Sequence, residues 1–180
     1  MIRWVLWILA GVLLGGIVHL ATILLLPRTA SQDAYARLSP VTPVNAFTLL
    51  PAPSPESTAL PFMDPAFAVA VCRYDLTAGP MKLAVPVSPA YTSLTFYSRH
   101  GVAFYAVNDR SAGRRTIELD LMTTPQRNDL PEEEDVTAAD RLIIEAPTVT
   151  GLIMARALSP EPGQMEQARR ALQSAQCKPQ

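Results

Sequence analysis

Histidine and cysteine are scarce in this chain, with two of each among 180 residues. His19 lies inside an apolar run and His100 lies between Arg99 and Gly101, so no histidine cluster is available to hold zinc. Cys72 and Cys177 are too far apart in sequence to match a zinc-binding spacing. No HExxH, GxSxG or P-loop pattern occurs, which removes the motif-based routes to a metalloprotease, a serine hydrolase or a nucleotide-binding enzyme. Charge of one sign is also lacking. The formal net charge is -1, and there is no basic patch or stripe of the kind that follows a nucleic-acid backbone. The expectation is therefore no catalytic motif, no metal, no cofactor and no nucleic-acid partner.

One hydrophobic run stands out against this. Val5 to Leu26 carries no charged side chain, and Pro27 and Arg28 close it. A helical bilayer crossing needs about 20 such residues, and no second run of this length follows. The flank holds Arg3, with Trp4 and Trp7 suited to a membrane interface. By the positive-inside tendency this places the N-terminus in the cytoplasm, because a long following domain is translocated largely regardless of its own charges such as Arg28 and Arg37. The run exceeds the usual h-region of a cleaved signal. His19-Leu20-Ala21 and Arg28-Thr29-Ala30 both put a poor residue first for a small-x-small cleavage site. The reading is a retained anchor over residues 1–27, with the N-terminus in the cytoplasm and the remainder on the far side of the membrane.

Within the anchor, Gly11 and Gly15 form a GxxxG, and His19 and Thr22 roughly continue its stripe. Small residues at this spacing let two helix backbones approach closely, and an ionisable residue in a span usually faces protein or water. Gly11, Gly15 and His19 are thus the expected packing residues for another single-span membrane protein or for a second copy of the chain.

The rest of the chain carries 14 basic and 16 acidic residues, since Arg3 is the single charged side chain in residues 1–27. It is long enough for one hydrophobic core. Residues 28–38 read as a short helix capped by Thr29 or Ser31 and ended by Pro40. Seven of the 17 prolines fall in residues 39–65, which reads as an extended, semi-rigid strap. Leu49-Leu50 and Leu60-Pro61-Phe62 are the positions that could pin it to a surface. The expected division is an anchor over 1–27, a short helix and Pro-rich linker over 28–65, and a β domain with a C-terminal helix over 66–180.

From residue 67 the texture changes. Short runs rich in Val, Tyr, Phe, Thr and Leu occupy 67–74, 81–87, 92–98, 102–107, 116–122, 141–145 and 151–158, parted by turn residues such as Gly79-Pro80, Ser88-Pro89 and His100-Gly101. Ile117, Leu119 and Leu121 alternate with Glu118 and Asp120, the pattern of a half-buried strand. The fold class is mainly β: a compact antiparallel, β-sandwich-like domain. An amphipathic helix over 160–176 follows, with Ser159 as its cap, Pro160 at N1 and Met165, Ala168, Leu172 and Ala175 on its apolar face. In an oxidising compartment Cys72 and Cys177 would form a disulfide that staples this last helix to the body.

Two clusters invite a binding reading. Arg110, Arg114 and Arg115 flank Asp109 and Gly113, and arginines suit an anionic headgroup, a glycan or an acidic partner surface. Glu132, Glu133, Glu134 and Asp135, with Asp129 and Asp140, gather carboxylates but match no calcium loop. Tyr91, Phe96, Tyr97, Phe104 and Tyr105 read as core or cross-strand residues, or as the lining of a ligand groove if one face is open. A catalytic His100 working with Ser98 or Asp109 has no motif behind it.

Several stretches together carry a resemblance. They are Asp64-Pro65-Ala66-Phe67, Cys72-Arg73-Tyr74-Asp75-Leu76, Gly79 to Pro86, Tyr91-Thr92-Ser93-Leu94 and Gly101-Val102-Ala103-Phe104-Tyr105. The chain resembles the uncharacterised family numbered twelve-fifty-four among domains of unknown function, and in particular its small single-span members from alphaproteobacterial envelopes. Larger relatives carry Asn-x-Asp-Thr where this chain reads Met63-Asp64-Pro65-Ala66. They also carry a second β domain on the same chain. The resemblance implies a β-sandwich-like body and, as natural partner, a second membrane-anchored protein like that missing domain. It implies no reaction.

Overall fold

The computed structural model describes residues 1–29, 33–54, 59–112, 115–130 and 142–180. It divides into two compact units, Met1–Asp33 and Ala34–Gln180. The first is helix α1, Ile2–Thr29. Its apolar part, Ile2–Leu26, is long and apolar enough to cross a membrane. At a rise of 1.5 Å per residue, 25 residues reach about 37 Å, against about 30 Å of bilayer hydrocarbon. Its side chains are exposed along this length. The helix runs past Pro27 to Thr29 rather than stopping at the proline.

The second unit is mainly β. After α2 (Ala34–Leu38) come β1 (Phe47–Leu49), β2 (Phe67–Asp75), β3 (Met81–Pro86), β4 (Thr92–Ser98) and β5 (Ala103–Asn108). The short α3 (Asp109–Ala112), β6 (Thr116–Thr123), α4 (Thr124–Asn128), β7 (Leu142–Ala146) and β8 (Thr150–Leu158) follow. The chain finishes with a 3-10 turn at Pro162–Gln164, α5 (Met165–Gln173) and β9 (Gln176–Pro179). One sheet has the order β1-β2-β8-β4-β5 and the other β7-β6-β3-β9.

The two sheets share one core. Ala68, Ala70, Cys72 and Tyr74 of β2, Leu94 and Phe96 of β4 and Ile153, Ala155 and Ala157 of β8 pack with Met81, Leu83 and Val85 of β3 and Ile117, Leu119 and Leu121 of β6. Each set keeps the period of two that puts alternate strand residues on one face. Ala168 and Leu172 of α5 complete this core, as the helical spacing predicts, and Met165 and Ala175 pack at its margin.

A second cluster covers the other face of the five-stranded sheet. Val69, Val71 and Leu152 lie under Leu38 of α2 and under Leu50 and Leu60 of the Pro-rich strap. Strand β2 is therefore buried on both faces, which explains its nearly unbroken apolar run. The strap is docked: residues 47–49 pair with β2 in the register Phe47↔Cys72 and Leu49↔Ala70. Of the two suggested pins, Leu50 and Leu60 are buried while Phe62 is fully exposed. Asn45, at a φ of 57°, fastens the strap further. Its side-chain amide donates to Asp75 O at 3.1 Å and its Oδ1 accepts from Asp75 N at 2.8 Å.

Four expectations are corrected in detail. The domain is not wholly antiparallel, because β7 runs parallel to β6, Leu119↔Leu142 to Thr123↔Ala146. A parallel pair needs a connection of a dozen residues or more, and 18 residues separate β6 from β7 in sequence. The last helix is shorter than 160–176 and begins at Met165, and its N-cap position is Gln164. Ser159 instead donates its hydroxyl to Glu161 O at 2.6 Å, and its N–H donates to Ala66 O at 2.8 Å. The chain after Ser174 is strand rather than helix or tail, since Cys177 pairs with Leu83 in the β3–β9 register. Of the short helix expected over 28–38, residues 28 and 29 belong to the end of α1 and Ala34–Leu38 form α2, while its suggested cap Ser31 lies outside the described residues.

Candidate functional site

The outward face of the four-stranded sheet holds an open groove of about 350 Å³ with charged and apolar lining, built on β3, β6 and β9. Its floor follows from register. Lys82 stands between Asp120 on β6 and Lys178 on β9, and Ala84 stands between Glu118 and Gln176. The same alternation that turns Leu83, Leu119 and Cys177 inward must turn these neighbours outward. The small side chain of Ala84 leaves the depression, and two ammonium and two carboxylate groups surround it. Glu118 is exposed, whereas Asp120, at 8 % exposure, is buried at the groove floor. An open surface of mixed charge can hold a polar, hydrogen-bonding ligand or an extended segment of a partner. It is not the enclosed apolar slot that an acyl chain prefers.

The disulfide between Cys72 and Cys177 is formed, with a Cα–Cα distance of 6.6 Å. It joins β2 of one sheet to β9 of the other, inside the shared core. In cellular terms it suggests an oxidising compartment.

Cβ atoms built at Gly11 and Gly15 meet nothing within 4 Å, so that stripe of α1 is open to a neighbour. His19 is exposed on the same helix, and Thr22 donates its hydroxyl to Val18 O at 2.8 Å, which satisfies it within the helix.

Of the arginine cluster, Arg110 is exposed on α3 and Arg115 is exposed just before β6, its carbonyl accepting from Val87 N at 2.9 Å. Arg114 lies outside the described residues, as do Glu132 to Asp135 and Asp140. Beside Arg110, Asp109 Oδ1 is buried with no hydrogen-bond partner among the described residues. His100 is exposed on the β4–β5 turn. Ser98, its suggested nucleophile, uses its Oγ to accept from Val102 N at 3.2 Å, so its hydroxyl serves the turn. The aromatic residues divide as core and cross-strand pairs: Phe96 lies 6.1 Å, ring centre to ring centre, from both Phe104 and Tyr105.

Two carboxylates have shifted acidity. The Asp75 carboxyl is held below its usual range by hydrogen bonds from the Thr77 hydroxyl and backbone. That of Glu145 is held down by Arg127 and then by Thr124. The Arg127–Glu145 ion pair ties α4 to β7 at the surface. Both read as structural clasps. Among the described residues no three His, Cys, Asp or Glu side chains gather as a metal set.

Sequence reasoning did not find the groove. The outward side chains of β6 were visible as an alternation, but the flanking lysines come from strands whose pairing partners are distant in sequence.

The family described as a protein of unknown function, DUF1254, matches residues 44–179. The chain belongs to the DUF1254 family. The match takes in both sheets, the strap from Val44 onward and the C-terminal strand. Among solved structures, the chain is similar to the VPA0106 protein from Vibrio parahaemolyticus, with a TM-score of 0.59 and 13% identity over 81% of this chain. It covers 34% of that protein, so it spans about a third of its length. It is also similar to an uncharacterised protein from Burkholderia cenocepacia, with a TM-score of 0.49, 17% identity and coverage of 71% of this chain and 34% of the other. No curated protein matches it. The Vibrio likeness, at this identity, speaks for the fold alone.

Proposed function

We propose that this DUF1254 protein is a bitopic inner-membrane protein whose β domain lies in the periplasm and works as a non-enzymatic subunit of an envelope assembly. The observation that carries the reading is a contrast in context. The fold occupies about a third of the Vibrio protein, whereas here it follows a single apolar helix. In the Vibrio protein the fold is joined to further structure, which supports an assembly role for it here. The disulfide supports placement outside the cytoplasm. The open stripe at Gly11, Gly15 and His19 offers a helix-packing surface to another single-span protein or to a second copy.

The test is crosslinked affinity capture of the full-length protein from its native membrane, followed by mass spectrometry. A stoichiometric second membrane protein is expected. Gly11→Leu with Gly15→Leu should weaken its recovery, and unchanged recovery would remove the anchor stripe from the interface.

A second reading has the groove over Lys82, Ala84 and Lys178 behind it: a periplasmic binding module for an envelope glycan or lipid headgroup. Recovery of the protein alone with co-purifying glycan or lipid, lost in Lys82→Glu, would favour it.

A further inference from the structure

A large aromatic side chain is held in an unfavourable place on the β unit. Phe62 has a φ of 59° and a relative exposure of 101 %. Positive φ is ordinarily left to Gly or Asn, and for a bulky residue it is an outlier that surrounding structure must enforce. Pro61 precedes Phe62, an arrangement familiar from turns whose next residue is usually Gly. Both sides of the turn are tied down: Leu60 is buried in the second cluster, and Met63 packs against that cluster. The chain thus accepts backbone strain and still turns its phenyl ring into solvent. Neither choice stabilises the unit by itself.

Phe62 is not alone. It borders a groove of about 390 Å³ that it shares with Ala34, Pro61, Met63, Met154 and Arg156. Ala34 is the first residue of the β unit, and Leu26 is the last of the apolar part of α1. Residues 27–29 are helical and rise about 1.5 Å each. The five steps from Thr29 to Ala34 add at most about 18 Å. Whatever the arrangement of the two units, Ala34 stays within roughly 22 Å of the end of the apolar run, by these contour lengths. Headgroup regions extend the bilayer by several Å beyond its hydrocarbon. Arg37 on α2 and Arg156 in the groove wall are both exposed cations, suited to anionic headgroups.

We infer that the Leu60-to-Met63 turn is a membrane-contact element: Phe62 inserts into the interfacial region of the leaflet next to the β unit, with Arg37 and Arg156 facing lipid phosphates. The occupant is the lipid surface itself. An aromatic ring prefers that boundary, as interfacial aromatic belts show, and insertion gives the strained turn its return. This inference rests on the reading of α1 as a membrane span, and the experiment separates the two.

The disulfide leaves no free thiol, so single introduced cysteines can carry an environment-sensitive fluorophore. Phe62→Cys, Val102→Cys and Leu13→Cys are labelled in the full-length protein and reconstituted into phosphatidylcholine vesicles containing phosphatidylglycerol. Val102 is an exposed reference on the β4–β5 turn and Leu13 is the reference inside the span. The label at position 62 should be blue-shifted, quenched by brominated lipid and shielded from aqueous iodide, while that at 102 reads as water. A label at 62 as accessible to iodide as the one at 102, with 13 buried in lipid, overturns the inference and leaves the span intact. Water-like emission at 13 removes the span and the inference with it. Shielding at 62 in native membranes but not in protein-free vesicles assigns the turn to a protein partner and also overturns it. Phe62→Gly should keep or raise the thermal stability of the fold, since it relieves the strained φ. A loss of stability would make Phe62 a packing residue and overturn the assignment.

Discussion

The guanidinium carbon of Arg99 lies 4.2 Å from the ring centre of Tyr35, joining the end of β4 to the helix that opens the β unit. Arg73 of β2 approaches the same ring at 5.4 Å and donates to Thr42 O at 3.1 Å and to Ser39 Oγ at 2.7 Å. Together these contacts hold α2 and the start of the strap on the five-stranded sheet. Tyr35→Leu keeps apolar bulk and removes the ring face. It should lower unfolding stability by about 1 kcal/mol, read from urea denaturation of the full-length protein in detergent.

Docking of the strap has a sharper consequence at Leu50, which is 2 % exposed beneath the second cluster. Leu50→Ala should destabilise the β unit by about 2–5 kcal/mol, as expected for truncating a buried leucine. A strap that lay free of the sheet would show almost no change in the same denaturation experiment.

Removing the Cys72–Cys177 bond by the double change Cys72→Ala and Cys177→Ala should lower stability by about 2–5 kcal/mol. The loss should be local first. Amide exchange at Gln176 and Lys178, on the edge strand β9, is expected to quicken before that of β2, because β9 is held by one neighbouring strand and the disulfide.

Gly151 is required by close approach. A Cβ placed there would come under 3.0 Å from Tyr97 O and from the Tyr74 ring and hydroxyl. Since a backbone carbonyl cannot swing aside as a side chain can, Gly151→Ala should cost about 2–3 kcal/mol. Combining it with Tyr74→Ala should not restore stability, and thermal unfolding of both variants checks this.

Tyr74 also predicts an alkaline limit. Burial pushes its phenol from 10.0 up to about 12, with the Thr148 hydroxyl pulling modestly the other way. Below pH 10 the phenol is protonated in both folded and unfolded chains, and its contribution is fully present. As pH rises from 10 through about 12 the unfolded chain loses its proton first, so stability falls over that window. Tyr74→Phe cannot ionise and should show a shallower fall in melting temperature across it.

The particular elements show what sequence can reveal. The apolar run of α1, the alternation of Ile117, Leu119 and Leu121, the face of α5 and the cysteine pair were all legible, because each is a property of one short stretch or of compartment chemistry. The bounds of β4 agree residue for residue, and those of β2, β3 and β8 agree within one residue. Other features were hidden for a common reason. Strand β1 is three residues among prolines, and it is a strand only because β2 offers it a free edge. Strand β9 exists because Cys177 is drawn into the core and Leu83 lies opposite. The parallel placement of β7, the covering of Val69 and Val71 by the strap, and the row Asp120–Lys82–Lys178 all depend on which distant strands become neighbours.

The sequence by itself determined the membrane-length helix, the mainly β body, the inward-facing residues and the cysteines able to join, since periodicity and composition are written locally. Tertiary structure alone decided the strand order, the docked strap, the open groove and the outward Phe62 turn. Those arise from pairings and burials between segments far apart in the chain, where each partner's choice is fixed only once the other is in place.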